Sequence, residues 1–321
     1  MTKNKTLTII ALLLIVFGGI IFAGAMTTAK WDFNKLSTEN YENHITEITE
    51  NFDSICVEVD TANIVILESQ NDKVIVDCFE NVKTQHGVSV ENNTLSIKYS
   101  DQRKWYEKIG ISFYSTKITI SIPSGAYNSL KIITSTGNVE TSKEHSYKNI
   151  DISVNTGNIK CQSSATENIK LKASTGEVIA ENLSAKKLDI ITTTGKLSAK
   201  NISVSEDFSL SVSTGKALIS ETNCKNFISN GSTGDIDLIK VLATEKIEIT
   251  RGTGDIEFEK CDANELNLKT STGDVEGTLL SSKVFSCKSS TGDVDVPKTT
   301  SGGLCNVNTS TGDIEIRIQP K

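Results

Sequence analysis

Toward its C-terminus the chain reads KTSTGDVEG (269–277), KSSTGDVDV (288–296) and NTSTGDIEI (308–316). A motif repeated like this is either a turn used several times or a ligand-binding signature. The rest of the chain favours the turn. A Thr-Gly pair recurs at Gly137, Gly157, Gly176, Gly195, Gly215, Gly234, Gly254, Gly273, Gly292 and Gly312, always in steps of 19 or 20 residues. A period of this length is the signature of a repeat architecture.

Aligning the units on that glycine produces apolar columns. Seven residues before it stand Leu130, Ile150, Ile169, Leu188, Phe208, Phe227, Ile247, Leu266, Phe285 and Cys305. Five before it are Ile132, Ile152, Leu171, Ile190 and Leu210, with Ser229 an exception; two after it are Val139, Ile159, Val178 and Leu197. A spacing of two within each arm is strand periodicity. Across the glycine the alternation slips by one, as a corner requires, and glycine tolerates the positive φ of such a bend. Each unit therefore reads as strand, Thr-Gly corner, second strand and return. A unit this short buries its apolar face only by stacking on its neighbours. The fold expected is all-β: a parallel β-solenoid of about eleven 19–20-residue coils, the first being the imperfect copy ICVEVDTANIVI, where Ala62 replaces the glycine. Between about 67 and 127 the repeat is interrupted by KVIVDCF, GVSVENNTLSIKY and KITISIP, read as an inserted antiparallel β segment.

The N-terminal part differs. Thr6 to Ala29 carries no charge, and Leu7–Met26 is mostly apolar. As a helix those 20 residues span about 30 Å, the hydrocarbon thickness of a bilayer. Lys3 and Lys5 precede the run, a bias that places the N-terminus in the cytoplasm and the body outside the cell membrane. Ala23-Gly24-Ala25 is also an A-x-A pattern, so a cleaved signal peptide is the competing reading. The organisation expected is a cytoplasmic tail (1–6), a single transmembrane helix (7–26), a polar stalk (27–51) and a solenoid domain (52–321).

Composition excludes several functions. The net charge is -7, and the 33 basic residues include only Arg103, Arg251 and Arg317 as arginines, which argues against nucleic-acid binding. The tryptophans Trp31 and Trp105 lie outside the repeats, and His44, His86 and His145 are scattered and read as surface residues. No G-x-S-x-G, HExxH or Cys-His pattern occurs, so no catalytic residue and no organic cofactor is expected. The seven cysteines contain no CxxC; Cys287 and Cys305 occupy apolar columns and are expected as buried free thiols. The threonine before each glycine is expected, by parity, to point inward and satisfy turn backbone groups. A flat Thr-x-Thr face fails, because the partner position holds Thr134, Thr192, Thr270 and Thr309 but Val154, Ala173, Gly231 or Arg251 elsewhere.

One surface pattern stands out. One and three residues after the glycine, the last five coils carry Asp235/Asp237, Asp255/Glu257, Asp274/Glu276, Asp293/Asp295 and Asp313/Glu315. This is either a solvated face or a stripe in which calcium bridges neighbouring coils; the candidate ligands are Asp255, Glu257, Asp274, Glu276, Asp293 and Asp295.

The STGD/STGN-type turns, the N-terminal apolar segment and the KWDF run at 30–33 resemble the bacterial β-strand-repeat proteins labelled "putative adhesin", a domain family of unknown function. The resemblance covers nearly the whole chain. It implies a noncatalytic, envelope-associated protein, in some members tied to envelope stress, and it supplies no catalytic residue. The partners expected are the membrane, through the helix, and an envelope polymer or protein. Self-association coil to coil, as a structural scaffold, is the alternative.

Overall fold

The computed structural model describes residues 2–32, 40–99 and 114–319. Phe33 and Trp105 lie outside them. An α-helix runs from Thr2 to Thr28, so the expected tail at 1–6 is already helical from Thr2. Its segment Lys5–Thr28 is long and apolar enough to cross a membrane, a test that a signal sequence also passes. The rest is a parallel β-solenoid, in which each strand pairs in register with those one repeat away: Ile150 lies between Leu130 and Ile169, and Leu188 between Ile169 and Phe208.

Hydrogen bonds between coils make the corners. The Gly215 N–H donates to the Thr233 carbonyl, Gly234 to Thr253 and Gly254 to Thr272, at 2.8–2.9 Å. Each corner glycine has a φ between 120° and 154°. A Cβ on Gly215 would lie 1.8 Å from the Gly195 carbonyl oxygen, so conformation and packing both demand glycine there.

The return contains a third side that periodicity did not reveal. Six residues after the corner, Asn182, Asn201, Glu221, Lys240 and Lys260 sit at φ 52–56°. This second bend turns the chain, and a third inward pair follows: Leu183 and Ala185, Ile202 and Val204, Thr222 and Cys224, Val241 and Ala243, Cys261 and Ala263. All are buried, giving a three-sided prism with one continuous apolar core. At about 1.5–3 kcal/mol per fully buried Val, Leu, Ile or Phe side chain, these columns are the main source of stability.

The threonine expectation is corrected. Thr156, Thr194, Thr214 and Thr253 are exposed. The inward position is two residues earlier, where Thr134, Thr192, Thr270 and Thr309 are buried. The Thr270 hydroxyl donates to the Gly254 carbonyl (3.0 Å) and that of Thr309 to Gly273 (3.1 Å). The alternation slips before the threonine, not after it.

At both ends the order of coils departs from the order of the chain. The first coil, Ser54–Thr61 and Asn63–Glu68, lies between Gly125–Thr136 with Val139–Thr141 on one side and Thr94–Tyr99 with Lys117–Ile122 on the other. Part of the expected insertion is therefore itself a parallel coil. Its outer edge is covered by antiparallel strands: His86–Glu91 on Thr94–Tyr99, Val74–Asn81 on Lys117–Ile122, and Tyr41–Ile48 on Val74–Asn81. Tyr41–Ile48 was expected in the stalk; it belongs to this cap.

At the other end, Glu265–Thr272 pairs with Gly303–Thr311, and Gly303–Thr311 pairs in turn with Lys283–Thr291. The last coil, with Ile314–Ile318 as its second arm, slots inside the penultimate one. Pro297 accounts for which of the two lies outermost. It lacks an N–H for a ladder, so it suits an edge, and the second arm of its coil shortens to Val294–Asp295. Gly302 and Gly303 make the slot passable: a Cβ there would lie 1.8 Å from the Ser282 carbonyl and 1.9 Å from that of Asn264.

Substituting Gly215 with alanine is expected to lower stability by at least about 2–3 kcal/mol, through left-handed strain plus a backbone clash. Thermal unfolding followed by circular dichroism measures it. Thr214→Ala, at an exposed side chain, is expected to stay within about 0.5 kcal/mol.

Candidate functional site

The acidic stripe runs along the second arm, and the exchanged coil order decides who meets whom. Its neighbouring pairs are Asp237/Glu257, Glu257/Glu276, Glu276/Glu315 and Glu315/Asp295. The sequence order would place Asp293 and Asp295 beside Asp274 and Glu276; instead Asp313 and Glu315 intervene.

The aspartates directly after each glycine have a backbone role. Asp235 Oδ1 accepts the Asp255 N–H (3.1 Å), Asp255 the Asp274 N–H (2.8 Å), Asp274 the Asp313 N–H (2.7 Å) and Asp313 the Asp293 N–H (2.8 Å). Asn63, Asn138 and Asn158 do the same in the proximal coils. A short side-chain oxygen at this position continues the ladder around the corner, which is why Asp or Asn recurs there. Among the described residues, no group of three or more His, Cys, Asp or Glu side chains is disposed to hold a metal ion.

The second carboxylate of each pair takes no part in that backbone ladder. Asp237, Glu257, Glu276 and Glu315, with Glu259, Phe258, Gly277 and Arg317, line an open groove of about 380 Å³. The cations against this stripe are Lys216, 2.7 Å from Asp237, and Arg317, which contacts Asp295 (2.7 Å) and Glu315 (3.0 Å). Glu276, at the middle, has its pKa raised by desolvation and then by Asp274, Glu315, Glu257 and Asp255.

Other polar clusters are structural. Ser229, Gly231 and Arg251, the outliers of their columns, come together: the buried Arg251 Nη2 donates to Ser229 Oγ (2.9 Å), and the guanidinium fills the space above Gly231. Burial pushes the Arg251 pKa down to about 10, against the pull of Asp235. Two histidines expected at the surface are buried. His86 Nδ1 lies 2.5 Å from Glu80 Oε2, which also accepts the His86 N–H. His145 Nε2 lies 3.1 Å from the Ile122 carbonyl, and burial lowers its pKa. His44 is exposed. All seven cysteines are free. Cys305 is buried as expected, its pKa pushed up to about 12 by burial. Cys287 is only half-buried, because its coil is the outermost one. Sequence reasoning missed Lys283, which is 3% exposed and reaches Asp262 (2.6 Å) and Ser281 (2.7 Å); Lys148, Lys186 and Lys225 occupy the same column and are exposed, so residue type gave no signal.

A three-sided solenoid with Thr-Gly corners and an acidic ridge along one arm defines a repeat-scaffold protein. The Toastrack DUF4097 family model matches residues 52–207 and 201–321, and the chain belongs to that family. Similar solved structures include a "putative adhesin" from Bacteroides fragilis NCTC 9343 (14% identity, 87% of this chain and 98% of that one, TM-score 0.42). Another is a "putative adhesin" from Parabacteroides merdae ATCC 43184 (12%, 87% and 97%, TM-score 0.44). A third is a "putative lipid binding protein" from Parabacteroides distasonis ATCC 8503 (18%, 75% and 95%, TM-score 0.48). No curated protein matches the chain.

Because Glu276 holds its proton longer in the folded state, stability is expected to fall as pH rises from the ordinary glutamate range through the raised folded value. Glu276→Gln is therefore expected to raise the unfolding midpoint at pH 7 by about 1–2 °C. The gain should vanish below about pH 4, where both states are protonated, and shrink in high salt. Melting curves at three pH values check it.

Proposed function

We propose that this protein is a noncatalytic, extracytoplasmic interaction module, held at the membrane by its N-terminal helix, whose distal coils present an acidic face to a cationic partner in the envelope. The observation that carries this reading is the distribution of charge. Asp237, Glu257, Glu276, Glu315 and Asp295 follow one another on adjacent coils, at the end of the stack away from the cap that succeeds the helix. Earlier coils carry Glu140, Lys160, Ile179, Ser198 and Leu218 at the same position, and the one acid among them, Glu140, is paired with Lys160 (2.7 Å). A row of like charges at the strand spacing of about 4.8 Å repels itself and favours any ligand that supplies matching positive charge. The Lys3 and Lys5 bias sets the helix with its N-terminus in the cytoplasm and the solenoid outside. An amine-bearing wall polymer or a basic protein surface fits the face.

The test uses the full chain in detergent micelles with poly-lysine as the probe. Binding is expected to weaken with salt. It is expected to fall about tenfold in the Glu257→Gln/Glu276→Gln/Glu315→Gln variant, at roughly 0.5 kcal/mol per exposed pair. Unchanged affinity in that variant sinks the acidic-face reading. For the anchor, carbonate extraction should leave the intact chain in the membrane fraction, and release of a shortened chain would show cleavage instead.

A further inference from the structure

We propose that the outer face of the cap is a membrane seat, by which the solenoid rests on the headgroup layer of the bilayer that its own helix spans. This rests on the anchored reading above and deepens it, since it adds the lipid surface as a partner of the exported body.

The face belongs to four strands, in the order Tyr41–Ile48, Val74–Asn81, Lys117–Ile122 and Asn63–Glu68. Their pairings run without a register shift, so alternation holds across the whole sheet. Ile48, Val76, Cys78, Ile120, Ile64 and Ile66 are buried and point into the prism. Tyr41, Ile45, Ile75, Phe79, Val65 and Leu67 therefore point away from it. None of these six is part of the apolar core. Ile45 is 64% exposed and Leu67 42%. Tyr41 and Phe79 join Tyr114, itself 38% exposed, in an aromatic cluster with ring centroids 5.4–5.8 Å apart. The sheet is thus apolar on both sides, whereas one apolar side is enough to fold it. An apolar patch on the solvent side of a sheet marks a surface that something else covers.

The charges on this face balance. Its outward positions hold Glu47, Asp77 and Lys117, and Glu47 is taken up by Lys73 (2.9 Å). The face lacks the acidic character of the distal coils, so it is not repelled by an anionic bilayer.

Chain connectivity says what covers it. The helix ends at Thr28, and the outermost strand of this face starts at Tyr41. The residues between, 29 to 40, reach at most about 45 Å when fully extended. Ile45 and Tyr41 lie on that first strand, so the patch is held next to lipid at a high effective concentration, and a weak contact suffices. Its composition suits the place. Tyrosine rings settle where one end is apolar and the other wet, and Ile and Leu side chains reach the acyl boundary below. The exposed Val294 and Leu304 do not compete, because they lie at the opposite end of the stack.

The experiment uses the full chain in proteoliposomes, with Trp31→Phe and Trp105→Phe leaving any introduced tryptophan as the only one. Ile45→Trp places the probe on the face. Ile133→Trp places it on the first arm, another side of the prism, at a position that is also exposed. Lipids brominated on the acyl chain quench only a tryptophan at the headgroup–acyl boundary, about 5–10 Å deep, and Ile45→Trp is expected to lose about half its emission there. Ile133→Trp should keep its emission. The quenching should persist in about 1 M salt, where the Debye length is about 3 Å, because the contact is apolar. Adding Leu67→Glu puts a charge among the outward side chains without touching the core. It should restore the emission of Ile45→Trp and leave the unfolding midpoint unchanged. Equal emission in brominated and plain vesicles, equal quenching at both positions, loss of quenching in high salt, or indifference to Leu67→Glu overturns the seat. Poly-lysine binding is measured in micelles, without a bilayer, so an unquenched Ile45→Trp leaves the acidic face standing. Release of a shortened chain on carbonate extraction removes anchor and seat together.

Discussion

Everything in this molecule rests on the contact between successive Thr-Gly corners. The glycine N–H of one coil donates to the threonine carbonyl of the next, at 2.8–3.0 Å throughout. The next glycine sits so close to the carbonyl below that no side chain fits between them. That contact sets the direction of stacking, aligns the apolar columns and delivers the side chain after the glycine to the same point on every level. Asn or Asp there extends the ladder by one hydrogen bond per coil, so the corner and the acidic ridge are parts of one device.

Functional differentiation is laid over this uniform frame by the positions that the frame leaves free. Three residues after the glycine, the side chain faces away from the core, so its charge varies along the rod without disturbing the apolar columns. The exceptions inside are compensated locally. Arg251 is accommodated because Gly231 gives it room and Ser229 an acceptor. Lys283 is buried against Asp262, and breaking such a pair by removing one partner typically costs about 3–5 kcal/mol. That ion pair fastens the outermost coil from one corner, while its opposite edge remains open.

The two ends answer the same problem differently. Each has an exchanged coil, so that neither the first nor the last repeat of the chain is outermost. At the end that follows the helix, antiparallel strands seal the edge. At the other, the more apolar last coil, with Ile314 and Ile316, is taken inside and the proline-containing coil is left out. Burial of β-branched side chains and the loss of a donor at Pro297 both favour that order.

The period, the inward columns, the corner glycine and the apolar helix were all legible in the sequence, because each follows from local stereochemistry repeated many times. The acidic stripe was legible as well, as a column. The third side of the prism was not: its bend is made by Asn, Glu or Lys at φ near 55°, and none of these residue types announces such a conformation. Nor was the inward position beside the corner, since the slip in alternation falls one step earlier than residue type suggests. The order of the coils was decided only in three dimensions. Every level offers the same register to every other, so local pairing does not distinguish Asp293 from Asp313 as the neighbour of Asp274; the choice depends on which coil loses less by standing at the edge.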